Sequence, residues 1–124
     1  TGKGVVGVKE VSEESIQRYS SLKVEPLHDN WFTCTDMIEK PSKDKIMSLY
    51  SILGRCVLPP QIFDILAHTA PGAGGEIQLT DALDAVLDEE EMYALVVDPA
   101  DGFDTGTVES WLETNNVLFG RRQG

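Results

Sequence analysis

The run GVVGVKEV at residues 4–11 carries apolar side chains on consecutive rather than alternate positions. That pattern predicts a β-strand covered on both faces. Such a strand needs elements above and below it, and the chain supplies them by alternation. SEES (12–15) opens a short helix, with Ser12 able to cap it and Ser15 at the capping-box position. SLKVEPL and WFTCTDMIEK, joined by the turn residues HDN at 28–30, predict a hairpin. PSKDK reads as a solvated loop. LYSILGRCVL (49–58) is a third apolar run, stopped by Pro59 and Pro60.

Pro60 suits the first turn of a helix over PQIFDILAHT, with Ile62, Phe63 and Leu66 on one face. APGAGGE is a loop. Thr80 is placed to cap DALDAVLDEE, where Leu83, Val86 and Leu87 recur at helical spacing. MYALVVD (92–98) predicts another strand and PADG a turn. A last helix, capped by Thr105 or Thr107, gathers Val108, Trp111, Leu112, Leu118 and Phe119 on one side. Gly120 is expected to end it, with Arg121 and Arg122 at its negative pole. Strands alternating with helices predict an α/β fold whose sheet is mostly parallel with one hairpin.

With 124 residues the chain suffices for one modest core. Ten basic against 21 acidic residues give a net charge of −11, a surface that repels nucleic acid and anionic membranes. No apolar run approaches a membrane span, and TGKGVVGV lacks signal-peptide shape, so a cytoplasmic location is expected. Cys34 and Cys56 lie in strand-like runs without CxxC spacing, which predicts buried free thiols. His28 and His68 are separated and complete no zinc pattern.

Several short motifs have a plain reading. TGKG lacks the spacing of a phosphate loop, PGAGGE follows a helix rather than a strand, and LDEEE is a solvated helix end. Two others point to chemistry. In DMIEKP (36–41) an apolar strand runs into Glu39 and Lys40, which as strand neighbours face opposite sides, and Pro41 then biases Lys40 toward extended backbone. Ligands in open α/β sheets collect beyond such strand ends. A lysine there suits phosphate and a glutamate suits sugar hydroxyls; an exposed charged strand end is the alternative. In GFDTGT (102–107), Asp104 between a strand and a helix suits Mg²⁺, or simply caps a turn.

Taken together, MIEKP, GRCVLPPQIFDILAHTAPGAGGEIQLTDAL and FDTGTVESWLETNNVLFG resemble the C-terminal half of bacterial UTP-glucose-1-phosphate uridylyltransferases. VVGVKEVSEESIQRYSSLKVEP extends the resemblance over nearly the whole chain. EKP and DTGT are shared with other sugar-nucleotide pyrophosphorylases. The resemblance implies a partial Rossmann-like nucleotidyltransferase fold that makes UDP-glucose from UTP and glucose-1-phosphate. It implies that Lys40 contacts phosphates and acts in catalysis, that Glu39 holds glucose hydroxyls, and that Asp104 is one of two aspartates binding Mg²⁺. Tyr19 and Ser20 then belong to the substrate site.

The family's Gly-rich UTP loop and first metal aspartate have no counterpart here. Residues 1–124 are therefore expected to be one incomplete domain, inactive alone, without the nucleotide-binding half. Ser20 stands where the family has glycine, a change that either crowds the site or is accommodated, and Leu49 stands where it has asparagine. A thymidylyltransferase and an inactive regulatory homologue remain open alternatives. Self-association into a homo-oligomer is expected from an exposed sheet edge.

Overall fold

The computed structural model describes residues 2–123; Thr1, which begins the TGKG run, lies outside them. The elements, in chain order, are β1 (Val5–Glu10), α1 (Glu13–Ile16), β2 (Ser20–His28), β3 (Trp31–Glu39), β4 (Tyr50–Val57), α2 (Ile62–His68), α3 (Leu79–Leu87), β5 (Met92–Val96) and α4 (Val108–Gln123). The five strands form one sheet in the order β2-β3-β5-β1-β4. The fold is thus mixed α/β, with the predicted elements in the predicted order.

Strand direction differs from expectation. Only β1 and β5 run parallel; β1 with β4, β2 with β3, and β3 with β5 are all antiparallel. The sheet is therefore mostly antiparallel. β3 and β4 follow one another in the chain but are not neighbours in the sheet; each pairs antiparallel with one of the two central parallel strands, β3 with β5 and β4 with β1. The hairpin then lies against β5 as a unit, with Trp31 opposite Leu95 and Cys34 opposite Met92.

Local signals explain most boundaries. The Ser12 hydroxyl accepts from the Ser15 amide at 3.1 Å and opens α1. The hairpin turns at Asp29, whose φ of 48° is one that short polar side chains tolerate. Asn30 next to it ties the hairpin to β5, its carbonyl accepting from the Val96 amide at 2.8 Å.

One face of the sheet carries the core. Val6 and Val8 of β1, Leu22 of β2, Cys34 and Met37 of β3 and Met92 and Ala94 of β5 meet Ile62 of α2 and Ala82, Leu83 and Val86 of α3. The period-2 pleat sends Val5, Gly7 and Lys9 to the opposite face. This second face carries the site described below.

Four expectations about the helices and cysteines are corrected. Phe63 does not join Ile62 against the sheet; it is 75% exposed, because α2 is only two turns long and offers one narrow stripe. The apolar stripe of α4 is left uncovered, with Val108, Trp111 and Phe119 each more than half exposed, and Thr114 is the one buried residue of that helix. Periodicity fixes that a helix face is apolar, not what covers it. Gly120 does not stop α4, which continues to Gln123, where Arg121 donates to Asp101 at 3.1 Å and also bonds the Ala100 carbonyl. Cys34 is buried, and burial pushes its thiol up to about 11, but Cys56 is only half-buried; both are free.

Candidate functional site

On the second face a cavity of about 230 Å³ opens beside β1, lined among others by Lys9, Tyr19, Ser51, Phe103 and Asp104. A neighbouring one of about 330 Å³ shares Lys9, Tyr19, Phe103 and Asp104 and extends to Ser110 and Glu113 of α4. Three separate stretches build this place. The end of β1 supplies Lys9, the residue before β2 supplies Tyr19, and the link between β5 and α4 supplies Asp104.

Asp104 is held at both oxygens. The Tyr19 hydroxyl donates to Oδ2 at 2.8 Å, and the Gly106 amide donates to Oδ1 at 3.0 Å. These two bonds, the phenol's first, hold its carboxyl below the usual range, while the same bond raises the Tyr19 phenol. Position 106 is tight: a Cβ there would sit 3.2 Å from Asp104 Oδ1 and press on the carboxylate. Thr107, not Thr105, caps α4. Its Oγ1 accepts from the Ser110 amide at 3.1 Å, and the Ser110 hydroxyl accepts from the Thr107 amide at 3.1 Å.

At the other strand end, Glu39 and Lys40 diverge. The Thr80 hydroxyl donates to Glu39 Oε2 at 2.6 Å. Thr80 is therefore not the cap of α3. The helix starts two residues earlier, at Leu79 with Gln78 as N-cap, and the Thr80 hydroxyl bonds a carboxylate instead. Lys40 is exposed, and its φ is 47°, so the extended backbone expected before Pro41 is not adopted. Its amide donates to the Tyr19 carbonyl at 2.6 Å, and that bond turns the chain out of β3. A left-handed lysine costs about 1–2 kcal/mol, strain of the kind that collects at functional positions.

Tyr19 thus touches both motifs. Its carbonyl holds the Lys40 backbone and its phenol holds the Asp104 carboxylate. Lys40 and Glu39 are not among the residues lining either cavity around Asp104. Ser20 itself does not line either cavity. It is buried, its hydroxyl 3.2 Å from that of Ser51 and accepting from the Ile52 amide at 3.2 Å. The side chain in the glycine position is accommodated by the β2–β4 packing. Leu49 contributes its carbonyl, which accepts from the Val11 amide at 2.8 Å.

Sequence reading missed Lys9, Ser51 and Thr80 because each lies in an element whose pattern is fully explained by folding. Only the register Lys9 opposite Ser51 brings the first two together. Among the described residues, no group of three or more His, Cys, Asp or Glu side chains gathers to hold a metal ion. The donor chemistry of Asp104 nevertheless fits Mg²⁺. It is a hard carboxylate kept ionised, and Mg²⁺ binds through one or two carboxylates and otherwise keeps waters and phosphates.

A carboxylate pair, Asp84 with Asp36, lies where α3 meets β3. Asp84 Oδ1 accepts from the Met37 amide at 3.4 Å, and burial, then a hydrogen bond with Asp36, pushes the Asp84 carboxyl up to about 6. Asp81, Asp44 and Lys45 line the same recess, and Asp88 adds further negative charge. An unfolded aspartate titrates near 3.9, so the folded protein binds the extra proton as pH drops below about 6. The resulting stability is complete below the unfolded value and is lost as pH rises through about 6. Asp84→Asn is expected to remove that slope from urea midpoints measured across acidic pH and to raise the midpoint at neutral pH. An unchanged slope would contradict this.

A profile of the nucleotidyl transferase family matches residues 2–119. The UTP–glucose-1-phosphate uridylyltransferase of Pseudomonas aeruginosa is 35% identical over 115 residues, 93% of this chain and 41% of that protein. The UTP–glucose-1-phosphate uridylyltransferase 2 of Staphylococcus saprophyticus is 38% identical over 114 residues, 92% of this chain and 39% of that one. Among solved structures, a UDP-glucose pyrophosphorylase complexed with UDP-glucose superposes with a TM-score of 0.87 at 32% identity, over 96% of this chain and 45% of the other. UTP-bound UGPase from Acinetobacter baumannii superposes at 0.73 with 27% identity, over 96% and 40%. The chain spans about two fifths of the length of the curated relatives it matches.

Proposed function

Because the chain belongs to the nucleotidyl transferase family, we propose that it is the sugar-phosphate-binding part of a UTP-glucose-1-phosphate uridylyltransferase. The observation that carries this reading is the double use of Tyr19, which fastens the Lys40 backbone with one end and the Asp104 carboxylate with the other. A residue bonded to both motifs gives two ligand-binding groups a fixed relative position, and transfer of a nucleotidyl group depends chiefly on positioning and charge neutralisation.

In this reading a glucose-1-phosphate oxygen attacks the α-phosphorus of UTP and pyrophosphate leaves. Lys40 contacts phosphate oxygens as a cation. Glu39, already an acceptor from Thr80, has a second oxygen for a glucose hydroxyl. The Tyr19–Ser20 backbone borders the sugar. Asp104 would hold Mg²⁺, which when bound neutralises phosphate charge. UTP is bound by residues outside this chain, so residues 1–124 serve as one part of a larger catalytic unit that works in the cytoplasm.

A homo-oligomer is part of the proposal. It is supported by Val57 at the edge strand β4, 70% exposed, and by Trp111, Leu112 and Phe119 along α4, each more than half exposed. Among the described residues no helix is long and apolar enough to cross a membrane.

The test supplies UTP or dTTP with glucose-1-phosphate and Mg²⁺, and follows the sugar nucleotide. The 124-residue chain alone is expected to give no turnover. The full-length protein is expected to prefer UTP and to lose activity on Lys40→Ala. Full activity after that substitution, or preference for dTTP, would sink the reading.

A further inference from the structure

We propose that Lys9 is a second phosphate-binding cation of this site, placed to take the phosphate of the sugar phosphate beside Asp104. The proposal rests on the uridylyltransferase reading for the identity of the ligand. Its own support is the setting of one ammonium group.

Among the six lysines, Lys23, Lys40, Lys43 and Lys45 are exposed, and Lys3 pairs with Glu91 at 2.8 Å. Lys9 alone is half-buried with no described carboxylate at ion-pair distance. It lines both cavities around Asp104, and its charge is near enough to help keep that carboxyl ionised. Space is made for its stem: a Cβ at position 102 would come within 3.3 Å of Lys9 Cδ and 3.0 Å of Leu53 Cδ2. The pleat decides the direction, since Val8 before it faces the core and Lys9 faces the cavity.

A partly desolvated ammonium without a counter-ion at contact distance is costly, and an arriving oxyanion relieves that cost. Asp104 alone would repel a phosphate. With Lys9 next to it, the cavity presents one positive and one negative group, a combination that accepts a phosphate on one side and a hard cation on the other. Lys40, assigned to phosphate in the same reading, follows the end of β3, so the two lysines would come to the ligand from different strands.

The experiment titrates the 124-residue chain with glucose-1-phosphate at low salt by calorimetry, with inorganic phosphate as a second probe. Lys9→Met is expected to weaken glucose-1-phosphate binding roughly ten- to a hundredfold, the value of a lost charge-assisted bond. Lys9→Arg is expected to restore most of it, and Lys23→Met to leave it unchanged. Inorganic phosphate is expected to bind more weakly with the same dependence on Lys9. In the unsubstituted chain, ¹H–¹³C signals of the Lys9 side chain are expected to move on addition of glucose-1-phosphate. Unmoved Lys9 signals, or no binding by the unsubstituted chain, would overturn the proposal. Unweakened binding by Lys9→Met together with weakened binding by Lys40→Met would overturn it while leaving the uridylyltransferase reading intact.

Discussion

Asp104→Asn in the full-length protein is expected to lower turnover by on the order of 10²–10³-fold, the usual cost of removing one electrostatic contact from a charged transition state. The substitution keeps the shape and leaves an oxygen to accept from Tyr19 or Gly106, which now bond the wild-type carboxylate at 2.8 and 3.0 Å. The fold is therefore expected to survive while the negative charge is lost. A readout independent of turnover is Mn²⁺ binding followed by electron paramagnetic resonance, which should weaken in the variant. Unchanged Mn²⁺ affinity would assign Asp104 to the local turn alone.

Leu83→Ala is expected to cost about 2–5 kcal/mol of folding stability. Leu83 is 1% exposed and sits where α3 packs on β3, among Met37, Cys34 and Val86. A domain of this size is usually stable by only about 5–15 kcal/mol, so the loss would consume much of the margin. Urea unfolding should show a lower midpoint at constant slope. The same helix carries Thr80, whose bond to Glu39 depends on the seating of α3, so ligand binding should weaken with stability. A loss below about 1 kcal/mol would mean that the site collapses around the missing atoms.

The strands and helices were legible because each leaves a local trace. Consecutive apolar residues in GVVGVKEV, the HDN turn and the double proline at 59–60 all mark elements that form. The site was legible in part. EKP and DTGT could be picked out by residue type, but Lys9, Thr80 and Ser51 could not, since each also fits an ordinary helical or strand position. Lys40 was expected to be extended before proline, and a single long-range bond to the Tyr19 carbonyl overrides that preference.

The amino-acid order by itself determined which elements form and in what order, and which short motifs carry charge at strand ends. Those properties depend on neighbours a few residues away. Only the tertiary structure decided that most strands run antiparallel, that Ser20 turns its hydroxyl to Ser51, and that Tyr19 reaches Asp104 across 85 positions of sequence. The physical reason is that such pairings are set by the path of the whole chain through space, and periodicity within one segment carries no record of that path.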